Sequence, residues 1–137
     1  KNIPFFLPVH EPRQGQAPAR LTAQVPLFPG YLFLRGPVEA RYGAIETGFV
    51  ANCLDVPDQD ELAGNLRDIH KLIESGGPLS REAHPENGMQ VRIIRGPLTG
   101  VYGTVIRSGR SLKFLVEVKF LQTGASVEVD ASMVERA

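Results

Sequence analysis

The chain has a single cysteine, Cys53, no tryptophan, and no net charge, with fifteen Lys plus Arg balanced by fifteen Asp plus Glu. One cysteine excludes an internal disulfide and a cysteine-rich zinc site, and it fits a reducing compartment, so a cytoplasmic location is expected. Zero net charge argues against a protein held to nucleic acid by overall charge, although a local basic face stays open. Long apolar runs are missing too. The longest, around Phe5 to Val9 and Tyr31 to Leu34, fall far short of the ~18 residues that span a bilayer, and no signal-peptide pattern opens the chain. Its first residue is Lys1 rather than Met, which is expected of a processed chain or of one whose beginning is missing.

Turn-forming residues are plentiful. The 14 Gly and 11 Pro among 137 residues make up about 18% of the chain, against a usual ~12%, so turns and short strands are expected rather than long helices. The length allows one medium domain or two of roughly 50 to 90 residues.

The composition shifts at Ser75 to Asn87 (SGGPLSREAHPEN), where apolar residues thin out between two patterned stretches. This reads as a linker at 76–87. Upstream, Ile3 to Val9 reads as a strand weakened by Pro4 and Pro8, and His10 to Arg20 as a mobile basic loop. Tyr31 to Arg35 reads as a buried strand and Gly48 to Val56 as another. Pro37 suits the first turn of a short helix over Val38 to Glu46. A stronger helix signal follows. Asp58 is the N-cap, Glu61 its capping partner, and Leu62, Leu66, Ile69, Leu72 and Ile73 recur at helical spacing until Gly76 and Gly77.

Beyond the linker the period becomes two. Val91, Ile93, Val101, Val105, Leu112, Phe114, Val116, Val118, Phe120, Val127 and Val129 mostly alternate with polar neighbours, as half-buried antiparallel strands require. Four to five short strands in about 50 residues predict a small barrel. Charge is segregated along the chain. Lys1 to Arg41 carries five basic residues against two acidic, Glu46 to Glu74 two against seven, and Arg92 to Lys119 six against one.

No constellation points to catalysis. His10, His70 and His84 each stand apart from a nucleophile, and Cys53 reads as a small buried apolar side chain. There is no phosphate-cradling loop, metal-ligand spacing or nucleophile elbow. A binding protein without cofactor or metal is therefore expected rather than an enzyme.

The most specific signal is Gly88-Met89-Gln90-Val91-Arg92-Ile93-Ile94-Arg95-Gly96-Pro97-Leu98-Thr99-Gly100-Val101-Tyr102-Gly103-Thr104-Val105. Alternation up to Gly96-Pro97 gives way to glycines at 100 and 103, where sharp reversals are expected. This stretch resembles a KOW motif. Pro26-Leu27-Phe28-Pro29-Gly30-Tyr31-Leu32-Phe33-Leu34-Arg35 resembles the Phe-Pro-Gly-Tyr strand of the NusG amino-terminal domain, and Val127 to Ala137 is similar to the NusG carboxy-terminal end. The chain is thus identified as resembling the NusG family of transcription elongation and antitermination factors, with the RfaH kind of specialised paralogue among the options.

The resemblance implies an α+β fold. An NGN-like domain (1–75, an antiparallel sheet with flanking helices) lacks the family's opening strand and helix, and an SH3-like KOW barrel occupies 88–137. It implies docking of the first domain on the clamp helices of the RNA polymerase largest subunit through Phe28, Pro29 and Tyr31, with Phe28 as contact and Tyr31 leaning to core. Arg13 and Arg20 are implied to touch upstream or non-template DNA. Val101, Phe120 and Leu121 of the KOW domain are implied to recruit the termination factor Rho or a small-subunit ribosomal protein. One of the adjacent pair Phe120 and Leu121 is expected to face outward. Arg92, Arg95 and Arg107 form a basic rim or simply solubilise the strands. With the opening strand absent, an exposed sheet edge favours dimerisation or swapping. The alternative is a ribosome-associated or RNA-binding KOW protein whose Arg92 to Lys119 stretch faces RNA.

Overall fold

The computed structural model describes residues 4–10 and 25–137, so Arg13 and Arg20 lie outside the described residues. Among the described residues the fold is α+β, with two α-helices and antiparallel sheets. Two short ladders open it. Strand β1 (Phe5–Phe6) pairs with β4 (Phe33–Leu34), and β2 (Val9–His10) pairs with β3 (Val25–Pro26). Pro8 separates β1 from β2, and its carbonyl accepts from the Leu27 N–H at 2.8 Å. The strand expected over Ile3 to Val9 is accordingly divided in two.

Helix α1 (Val38–Glu46) starts directly after Pro37, as that residue's fixed φ favours. Gly48 to Val56, expected as a strand, forms no ladder. The segment is tied instead by an Arg41–Asp55 ion pair and by Asn52 Oδ1, which accepts from the Cys53 N–H at 2.9 Å. Cys53 is therefore half-buried outside any strand.

Helix α2 (Gln59–Glu74) forms where its cap and spacing place it. The Asp58 carboxylate accepts from the Glu61 N–H at 2.9 Å, which satisfies one of the orphan donors of the first turn. Ile69 and Leu72 are fully buried, and Leu62, Leu66 and Ile73 pack beside them. Burying each of the first two contributes about 1.5–3 kcal/mol.

The second half is one six-stranded sheet in the order β10-β6-β7-β8-β9-β5. Its strands are β5 (Ser80–Ala83), β6 (Met89–Ile93), β7 (Tyr102–Ser108), β8 (Ser111–Val118), β9 (Thr123–Val129) and β10 (Val134–Arg136). Strand β5 lies inside the stretch expected to be a linker, and it pairs with β9 from Ser80 opposite Ser126 to Ala83 opposite Thr123. Polar stitches hold it. Glu82 accepts from Ser126 Oγ at 3.0 Å and from Lys113 Nζ at 3.3 Å, and His84 Nδ1 lies 2.8 Å from Glu117. The apolar face of the sheet, built from Val91, Ile93, Phe114, Val116, Val118, Ala125 and Val127, joins Ile69 and Leu72 of α2 in one core that also holds Leu27, Phe28 and Leu79.

The glycines of the most specific motif divide by role. Gly96 and Gly100 have φ of 91° and 92°, a left-handed conformation that turns the chain, and the Gly100 N–H donates to the Ile93 carbonyl at 2.8 Å. Gly103 makes no reversal. It lies within β7, where a Cβ would sit 2.7 Å from two ring carbons of Phe114 and 2.5 Å from the Leu115 carbonyl oxygen. Gly103→Ala is therefore expected to destabilise the fold by about 1–3 kcal/mol through overpacking, read as a lower urea midpoint at unchanged m.

A second expectation concerns Asp68 on α2. Burial pushes its carboxyl above the ordinary carboxylate range, with Lys71 and Arg67 pulling it partly back. The folded chain thus binds this proton more tightly than the unfolded chain. Its contribution to stability is full below the ordinary value of about 3.9 and is lost as pH rises through the raised folded value. Asp68→Asn should accordingly be more stable than the parent at neutral pH, with the gap closing on acidification. Melting temperatures of both proteins across the acid range test this, and a gap that does not change with pH would exclude the carboxyl as its source.

Candidate partner-binding surfaces

The first half of the chain carries most of the exposed large apolar side chains. In the β1–β4 ladder, Phe5 stands opposite Leu34 and Phe6 opposite Phe33. A two-stranded ladder has only two faces, and here they divide cleanly. Phe6 and Phe33 turn toward α2, with Phe6 6.0 Å from the His70 ring and Phe33 6.3 Å from the Phe28 ring, centroid to centroid. Phe5 and Leu34 are left exposed, with Tyr31 and Leu32 exposed at the entry to β4.

Helix α1 adds a second exposed row. Val38, Tyr42 and Ile45 follow the i, i+4, i+7 spacing of one helical face and are all exposed, while Ala44 is the buried residue of this helix. Phe49, at 95% exposure, continues beyond the helix in the segment tied back by Arg41 and Asp55. Scattered exposed apolar residues are ordinary, but rows of them on one part of a surface are the usual mark of a partner site. Phe5, Leu34 and the α1 row are not among the residues expected from the sequence to bind a partner. The spacing of Val38, Tyr42 and Ile45 was the available signal.

Of the residues tied to polymerase by resemblance, Phe28 is 2% exposed and Tyr31 44%. This reverses the expected division, in which Phe28 is the contact and Tyr31 the core residue. The cause is the turn at Pro29-Gly30. Gly30 has φ of 86° and the Tyr31 N–H donates to the Phe28 carbonyl at 3.1 Å, so the chain folds back with Phe28 under α2 and Pro29 and Tyr31 outside. The buried strand expected over Tyr31 to Arg35 shrinks to two residues for the same reason, since β4 has one partner strand and one covered face.

In the second half, Val101 is 3% exposed and belongs to the core, so it presents no surface to a partner. Phe120 and Leu121 lie in a single 3-10 turn (Lys119–Leu121) that ends on Gln122 in the left-handed conformation. Phe120 is 37% exposed, whereas Leu121 packs on the core. Helix α2 lies against this corner, where the Lys119 N–H donates to Asn65 Oδ1 at 3.0 Å.

The basic stretch is balanced in part by acidic neighbours. Arg92 pairs with Glu135, which holds its guanidinium pKa above the usual value, and Lys113 pairs with Glu82. Arg107 and Arg110 line an open cleft together with Glu128 and Asp130. Among the described residues, no group of three or more His, Cys, Asp or Glu is placed to hold a metal ion, and no helix is long and apolar enough to cross a membrane. No family model, curated protein or solved structure matches the chain.

The burial pattern separates two substitutions on neighbouring residues. Phe28→Ala should cost about 3–5 kcal/mol of stability, as deletion of a buried aromatic does, while Tyr31→Ala should stay within about 0.5 kcal/mol of the parent. Denaturant unfolding of both variants decides this, and equal losses would contradict the placement of Tyr31 outside the core.

Proposed function

We propose that this chain is a transcription elongation and antitermination factor of the NusG family, which acts by binding rather than catalysis. On this reading the first half is an NGN-like domain and the sheet of the second half a KOW domain, in a cytoplasmic protein. The observation that carries the proposal is the exposed apolar pair of the β1–β4 ladder, Phe5 opposite Leu34, with Tyr31 and Leu32 exposed at the entry to β4, in the segment whose sequence resembles that of NusG.

The mechanism follows from that surface. A row of exposed apolar side chains is stabilised by any partner that removes it from water, at about 25 cal/mol per Å² of apolar area covered. The clamp helices of the polymerase largest subunit offer such a partner, and a factor seated on them holds the clamp closed and suppresses pausing. Pro29 and Tyr31 take the contact role, and Phe28 supports them from below. Phe120 is the exposed anchor of the second half, for Rho or a small-subunit ribosomal protein. Arg13 and Arg20 add auxiliary contacts to upstream or non-template DNA through phosphates.

A pull-down with isolated clamp helices tests the reading. The chain is expected to be retained, and the double substitution of Phe5→Ser with Tyr31→Ala should weaken retention about tenfold or more without lowering the melting temperature, since anchor side chains at interface centres dominate affinity. Absence of binding, together with tight and salt-sensitive binding of RNA, would overturn it in favour of an RNA-binding KOW protein.

A further inference from the structure

The connection between β5 and β6 contains Asn87-Gly88, the one place where asparagine precedes glycine; the other asparagines, Asn2, Asn52 and Asn65, precede Ile3, Cys53 and Leu66. Asn87 is exposed in a bend, and among the described residues no hydrogen bond engages its side-chain amide. Asn65 differs, because it lies within α2 and its Oδ1 is engaged by the Lys119 N–H. Asn52 differs as well, because its Oδ1 accepts from the Cys53 N–H.

Glycine at 88 is required by packing. A Cβ there would collide with the methyl group of Thr104, and Thr104 is fixed by its place in β7 and by the Gln90 amide, which donates to its Oγ1 at 2.9 Å. The structure therefore keeps, next to an exposed asparagine, the residue type that least obstructs attack by the following backbone nitrogen, since it has no side chain and the freest backbone.

We propose that Asn87 is a site of spontaneous deamidation. The Gly88 backbone nitrogen loses its proton and attacks Cγ of Asn87. A C–N bond forms, the bond to the side-chain nitrogen breaks, and ammonia leaves. Water then opens the five-membered imide at either carbonyl, giving aspartate or isoaspartate, so that the net change is uptake of one water and loss of one ammonia. A new negative charge appears beside Glu86, and the isoaspartyl form adds a methylene to the backbone between the His84–Glu117 pair that fastens β5 and the first residue of β6.

The test is ageing of the purified, folded chain at physiological temperature and at neutral and mildly alkaline pH, followed by peptide mass analysis and isoaspartate-specific methylation. A gain of one mass unit is expected in the peptide that contains Asn87, at a rate rising with pH and at least about tenfold above that at Asn52 or Asn65, as its exposed turn and glycine neighbour dictate. An Asn87→Asp variant should show no such gain at this peptide. Conversion at Asn87 no faster than at Asn52 and Asn65 would overturn the proposal. So would an unmodified Asn87 in the folded chain while a free peptide of the same sequence converts.

Discussion

Burial of one face of α2 is the interaction on which the rest of this structure depends. The helix presents Ile69 and Leu72 to the apolar face of the six-stranded sheet, while Leu27, Phe28 and the Phe6–His70 ring contact gather the first half of the chain around it. Neither opening ladder has enough strands to stand alone in water. Their stability is borrowed from the helix, which is why the chain commits its strongest local signals, an N-cap and an amphipathic row, to this segment.

Dependence on one helix also explains how polar and apolar surface are distributed. A ladder of two strands covers one face only, so turning Phe6 and Phe33 inward leaves Phe5 and Leu34 outside. The exposed apolar rows follow directly from a sheet too narrow to be covered on both sides. In the second half the sheet is wide and its apolar face is shared with α2, so the outer surface is free to be polar, and some of its charges meet partners, Glu135 for Arg92 and Glu82 for Lys113.

What was legible in the sequence was what local chemistry decides. The Asp58 cap, the spacing from Leu62 to Ile73, the start of α1 after Pro37 and the alternation of Val91, Ile93, Phe114, Val116 and Val118 all act within a turn or a strand. Features settled by distant partners stayed hidden. Ser80 to Ala83 has no apolar alternation, and it becomes a strand through its ladder with the distant β9, reinforced by polar stitches to Lys113 and Ser126. Phe28 and Tyr31 are both aromatics beside Pro-Gly, and nothing local says which of them the turn will send under α2. Gly103 resembles the turn glycines around it, but its reason is a ring contributed by the neighbouring strand. The candidate surface was legible in part, through Pro29 and Tyr31, whereas its exposed neighbours needed the ladder's register to be known.

The placement of β5 has a consequence in time. Its partner residues, from Thr123 to Ser126, are made after it, so the segment that follows α2 waits unpaired while residues 84 to 122 are synthesised. Contacts of such long sequence separation form late, because loop closure must precede them. Until β6, β7 and β8 have been made, Leu79 and the apolar row of α2 have no sheet to lie against. The nascent chain thus passes through a stage in which its central helix is complete but its sheet-facing side is uncovered, the stage at which a folding helper or a premature partner would meet it.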